Sequence, residues 1–137
     1  MGKAGNIKGS SRQVGPMVAL YGLDAGTERG DAVRAVMERL GVRVRTIEPE
    51  NLGDLVGAVA GLPGMRMRAK AAPQDVPVDE FMLVCAMDGP KLDEVLAAMR
   101  AEGVPVAHKA MVTSHNRLWP VHILMSEVAR EHAAMSR

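Results

Sequence analysis

The spacing Thr113-x-x-Asn116-x-x-Trp119 gathers a hydroxyl, a carboxamide and an indole N–H in one short segment. Placed between a strand's carboxyl end and a helix start, such a set can hold an anionic small molecule, because the first helical N–H groups have no partner within the helix. The plainer use is structural. Thr113 or Asn116 then satisfies the helix start, and Trp119 packs the turn onto the core. The Thr113–Trp119 turn is the first candidate binding site on either reading.

A second set is cationic. Arg43, Arg45, Arg66, Arg68 and Lys70 form a candidate basic patch for nucleic-acid phosphates. Solvated charges that discourage sheet-to-sheet pairing explain the same residues without a ligand. The usual way for a ferredoxin-like domain to bind RNA stacks bases on sheet-surface aromatics, and the expected edge strands contain none. Asp24 and Asp88 follow two similar apolar strands, so a carboxylate pair is conceivable, but helix capping accounts for both. Cys85, Met87, His108, His115, His122 and His132 include soft and borderline metal ligands, yet their spacing matches no metal motif. A serine elbow, a glycine-rich phosphate loop and an HExxH sequence are also missing. The expectation is therefore no catalytic residue, no metal and no cofactor, with a non-enzyme favoured over an enzyme.

The elements that must position these residues follow from periodicity. Met17–Leu23 and Phe81–Met87 are short apolar runs ending in turn residues, as buried strands do. Val33, Val36, Met37 and Leu40 recur at helical spacing and end at Gly41. Leu92, Val95, Leu96 and Met99 do the same before Gly103, behind an Asp88-Gly89-Pro90 start. Val42, Val44 and Thr46 alternate with Arg43, Arg45 and Ile47 as a half-exposed strand, and Val106–Val112 forms its counterpart. Further helical stripes run through Leu52, Leu55, Val56 and Val59, where Gly53 and Gly57 weaken the helix, and through Val121, Leu124, Met125 and Val128.

These elements spell β-α-β-α twice. The expected organisation is a disordered basic tail over 1–15 and a single α/β (α+β) domain over 16–137. Its halves span 16–62 and 79–135, joined by a Pro- and Arg-rich connector over 63–78. Matches around the two glycine-ended helices suggest an internal duplication. Two strands apolar on both faces belong at the centre and two polar ones at the edges, which points to a four-stranded ferredoxin-like sheet. The alternative is an all-parallel three-layer α/β sheet.

The chain has 137 residues and a net charge of +1, so charge singles out no class of partner. No apolar run is long enough to span a membrane, the amino terminus lacks the apolar stretch of a secretory signal, and a single cysteine excludes an internal disulfide. A cytoplasmic protein is expected.

The run from Phe81 to His132 resembles an uncharacterised prokaryotic family, domain of unknown function 3783 (DUF 3783). The likeness rests on the strand FMLVCAM, the helix KLDEVLAAMRAEG, the strand AHKAMVT and the Thr-x-x-Asn-x-x-Trp turn. The family pattern continues with a threonine or serine cap and an acidic residue, where this chain has Pro120 and Ile123. The resemblance implies no mechanism. The expectation is a non-enzymatic protein-interaction or regulatory module, pairing with a protein partner or as a homodimer. Nucleic-acid binding through the basic patch is the alternative, and small-molecule or anion binding at the Thr113–Trp119 turn is the third reading.

Overall fold

The computed structural model describes residues 15–135, so all but the last residue of the expected amino-terminal tail lies outside the described residues. The strands are β1 (Met17–Tyr21), β2 (Arg43–Thr46), β3 (Phe81–Cys85) and β4 (Lys109–Met111). The helices are α1 (Glu28–Arg39), α2 (Val56–Ala60), α3 (Gly89–Ala101) and α4 (Val121–Met135), with a 3-10 turn at Pro49–Asn51 before α2. Each half thus carries β-α-β-α.

The sheet order is β2-β1-β3-β4. β1 and β3 are antiparallel at the centre, Met17 facing Cys85 and Tyr21 facing Phe81. Each edge strand lies parallel to the central strand of its own half. The central pair is the one expected from sequence, but two details change. A ferredoxin-like order would seat β2 beside β3 and β4 beside β1, with its helices on one face. The all-parallel alternative fails at the antiparallel β1–β3 pair.

Burial gives the physical reason for the cover on both faces of the sheet. Val18 and Leu20 of β1 and Met82 and Val84 of β3 pack with Val33, Val36 and Met37 of α1 and Val95 and Met99 of α3. Ala19, Phe81 and Leu83 point the other way, onto Val56 and Val59 of α2 and Val121, Leu124 and Met125 of α4. Central strands with fully apolar side chains on both faces need both faces covered. The extra helix that closes each half supplies the second cover, so the result is three layers, α/β/α.

Local signals set the ends of these elements. Thr27 caps α1 by accepting from the Gly30 N–H, and Asp88 caps α3 by accepting from Lys91. Gly41 and Gly103 adopt positive φ just past α1 and α3, followed by buried Val42 and Val104. The halves are also tied by charge. Arg29 of α1 makes a two-point contact with Glu80, at 2.7 and 3.0 Å, and Lys91 of α3 donates to the Leu40 carbonyl at the end of α1.

Candidate functional site

The turn after β4 closes on itself. Asn116 is 7% exposed. Its Oδ1 accepts from the Thr113 N–H at 2.9 Å, and its Nδ2 donates to the Met111 carbonyl at 2.9 Å. The Thr113 hydroxyl oxygen accepts from the N–H groups of His115 and Asn116. Trp119 is half-buried against the α2/α4 side of the core, edge-to-face with the His115 ring at 5.2 Å. Asn116 and Trp119 border an open groove of about 420 Å³ with Lys109 and Glu127, but both polar atoms of Asn116 are already engaged on the turn.

The start of α4 is equally occupied. Val121 N–H donates to the Asp54 carbonyl at 2.8 Å and His122 N–H to the Leu52 carbonyl at 2.9 Å. In return, Val56 N–H donates to the Trp119 carbonyl and Gly57 N–H to that of Arg117, both at 2.8 Å. Leu55 and Pro120 form an antiparallel bridge between the two strips. Sequence reasoning gave the cap of α4 to Thr113 or Asn116. The backbone of residues 52–54 provides it instead, which takes up the N–H groups that an anion at this helix would need.

Gly53 meets backbone and Gly57 the flexible end of a side chain at this junction. A Cβ at Gly53 would lie 2.5 Å from the Ala71 carbonyl oxygen, and one at Gly57 would lie 2.5 Å from the Met65 sulfur. α2 has five residues and ends at Gly61 in left-handed backbone, and the missing side chain of Gly53 lets the connector approach.

Asp54 organises that approach and was not singled out from the sequence. It is 2% exposed, with Oδ1 accepting from the Arg68 N–H at 2.7 Å and Oδ2 from Asn51 Nδ2 at 3.0 Å. Gly53 N–H reaches the Lys70 carbonyl at 2.7 Å, so the connector is pinned at two backbone points. Arg66, Arg68 and Lys70 line a depression of about 200 Å³ with Leu55, above Asp54. None of these three side chains has an ion pair or hydrogen bond within the described residues.

The other two basic residues are placed differently. Arg45 donates to the Val59 carbonyl at 3.1 Å, at the carboxyl end of α2, a favourable place for a cation. Arg43 is exposed on edge strand β2, and neither residue borders the depression. Three of the five expected patch residues therefore share a site.

The remaining candidates separate. Asp24 and Asp88 follow antiparallel strands and lie at opposite ends of the sheet, each beside the start of its own helix. His108 and His132 approach edge-to-face at 4.9 Å, but no group of three metal-ligating side chains occurs among the described residues. Cys85 is partly buried, and burial raises its thiol pKa against the opposing pull of Arg43. A raised folded-state pKa keeps the thiol protonated at neutral pH, and this contribution to stability is lost as pH rises above the ordinary thiol range. Thiol-reagent kinetics on native protein are therefore expected to be slow at neutral pH and to accelerate in alkali. A neutral-pH rate equal to that of the unfolded chain would contradict this.

No helix among the described residues is long and apolar enough to cross a membrane. Comparison with curated proteins and with solved structures gives no match. Residues 80–135 match the family described as Domain of unknown function (DUF3783). The match takes in β3, α3, β4, the Thr113–Trp119 turn and α4. The DUF3783 match thus lies wholly within the second half of this chain.

Proposed function

We propose that this chain is a non-enzymatic protein-interaction module, acting in the cytoplasm as one domain from Pro16 onward and built from two duplicated halves. The observation that carries the reading is where its large apolar side chains meet solvent. Leu55, Leu118 and Ile123 are 36%, 59% and 46% exposed and lie in the Leu55–Pro120 bridge or within three residues of it, while the other two exposed large apolar side chains, Met111 and Met135, lie on β4 and at the end of α4. Single exposed leucines are ordinary, but a group of them on a rigid backbone junction is a feature of binding surfaces. The hydrogen bonds of Asn116, Thr113 and Asp54 hold that junction in place, a framework role rather than a chemical one.

Nucleic-acid binding through Arg66, Arg68 and Lys70 is the second reading, favoured by the absence of partners for these side chains among the described residues. Against it, helices cover both sheet faces, so no open β-surface offers bases a stacking platform.

The test is association. Wild-type protein is expected to dimerise or to retain a defined protein partner, and Leu118→Glu with Ile123→Glu to lose that association while keeping its melting temperature. A strictly monomeric protein with no recoverable partner would overturn the proposal.

A further inference from the structure

Part of the border of the apolar junction is cationic, while Glu127, one turn after Ile123 on α4, is paired with Arg130. Arg66, Arg68 and Lys70 share their depression with Leu55, one of the exposed apolar residues. Arg117, also exposed, precedes Leu118, and its carbonyl accepts from Gly57, the glycine against which Met65 packs. The start of the connector and the family turn therefore meet around one glycine. Several other cations on this protein are used internally: Arg29 on Glu80, Arg34 on the Leu23 carbonyl, Arg45 on α2 and Lys91 on Leu40. Among the described residues, the side chains of the four at the junction have no such use. The carboxylate beneath them, Asp54, is buried with both oxygens engaged and does not pair with any of the four side chains.

We infer that this surface docks an acidic, amphipathic protein segment, its apolar side chains on Leu55, Leu118 and Ile123 and its carboxylates on Arg66, Arg68, Lys70 and Arg117. The inference rests on the interaction reading and names the partner's chemistry. Charge complementarity selects this occupant, because unpaired guanidinium groups beside apolar side chains match carboxylates beside apolar side chains. The chain's own amino-terminal segment carries Lys3, Lys8 and Arg12 before residue 15 and has the wrong sign.

A random peptide library displayed on phage and selected on the full chain tests it. Enriched peptides are expected to combine Asp or Glu with Leu, Ile or Phe. Binding of a labelled synthetic copy should weaken as salt rises, by screening. It should fall about tenfold or more in the triple variant Arg66→Ala, Arg68→Ala, Lys70→Ala, and separately in Leu118→Glu. The triple variant keeps the Arg68 backbone N–H that Asp54 holds, so the same connector geometry is retained. Enriched apolar peptides without acidic residues, lost in Leu118→Glu but not in the triple variant, would overturn the acidic partner and leave the interaction reading standing. Retention of single-stranded RNA that depends on the three cations and ignores Leu118→Glu, with no peptide enriched, would overturn both.

Discussion

Gly22→Ala is expected to destabilise the protein by about 3 kcal/mol or more, while Ala86→Gly, at the equivalent place in the other half, leaves stability unchanged or raises it by less than about 1 kcal/mol. The two positions follow β1 and β3 directly, and both adopt left-handed backbone, φ +76° at Gly22 and +58° at Ala86. A side chain there costs roughly 1–2 kcal/mol through its Cβ. Gly22 adds a second penalty, since a Cβ would lie 1.9 Å from the Asp79 carbonyl oxygen and 3.0 Å from its carbon. That oxygen belongs to the chain entering β3, which is held by pairing with β1 and by the Arg29–Glu80 contact, so it cannot move without disturbing the central strands. Ala86 already carries its Cβ in an exposed position. Replacing it relieves backbone strain and adds freedom to the unfolded chain, two effects of opposite sign and similar size. Urea denaturation of both variants checks the pair. A loss in Gly22→Ala of no more than about 1–2 kcal/mol would mean that the Asp79 contact plays no part.

The same comparison shows what a sequence makes legible. Elements were readable because each is specified locally: helical stripes in α1, α3 and α4, apolar runs in β1 and β3, glycines past helix ends. The central position of β1 and β3 was readable from their lack of a polar face. Strand order was not, because βαβ units that cross over a strand and units that do not bury the same residues on the central strands. The deciding fact is that α2 and α4 pack on the face opposite α1 and α3, which is a tertiary fact. At the site, the Thr113–Trp119 motif stood out by its spacing, and its internal hydrogen bonds did not. Asp54 was invisible for a different reason. An aspartate between two glycine-containing turns reads as a solvated loop residue, and only the connector's return from residues 65–71 buries it. The signal available was the pair Gly53 and Gly57 flanking it, since two glycines in an otherwise helical stripe can mean that another backbone comes close.

Asp54→Ala is expected to cost about 2–3 kcal/mol and to free the connector, because it strips the partner from the Arg68 N–H and from Asn51 Nδ2. Asp54→Asn should cost less, about 1 kcal/mol. Its amide oxygen can still accept from Arg68, but its NH₂ then faces the NH₂ of Asn51. Asn51 cannot turn its amide without losing the contact from the Glu48 N–H to its Oδ1. The two variants therefore separate the anchoring of the connector from the pairing with Asn51. Limited proteolysis with a trypsin-like enzyme reads the first directly, since Arg66, Arg68 and Lys70 are its cleavage sites on the connector. Cutting there should accelerate strongly in Asp54→Ala and only slightly in Asp54→Asn, with denaturant midpoints falling in the same order. Equal cutting in both variants would place the anchoring in the Gly53–Lys70 hydrogen bond instead. Because these cations border the apolar junction, Asp54→Ala should also weaken partner binding without altering any residue that touches the partner, which is how a framework carboxylate differs from a contact residue.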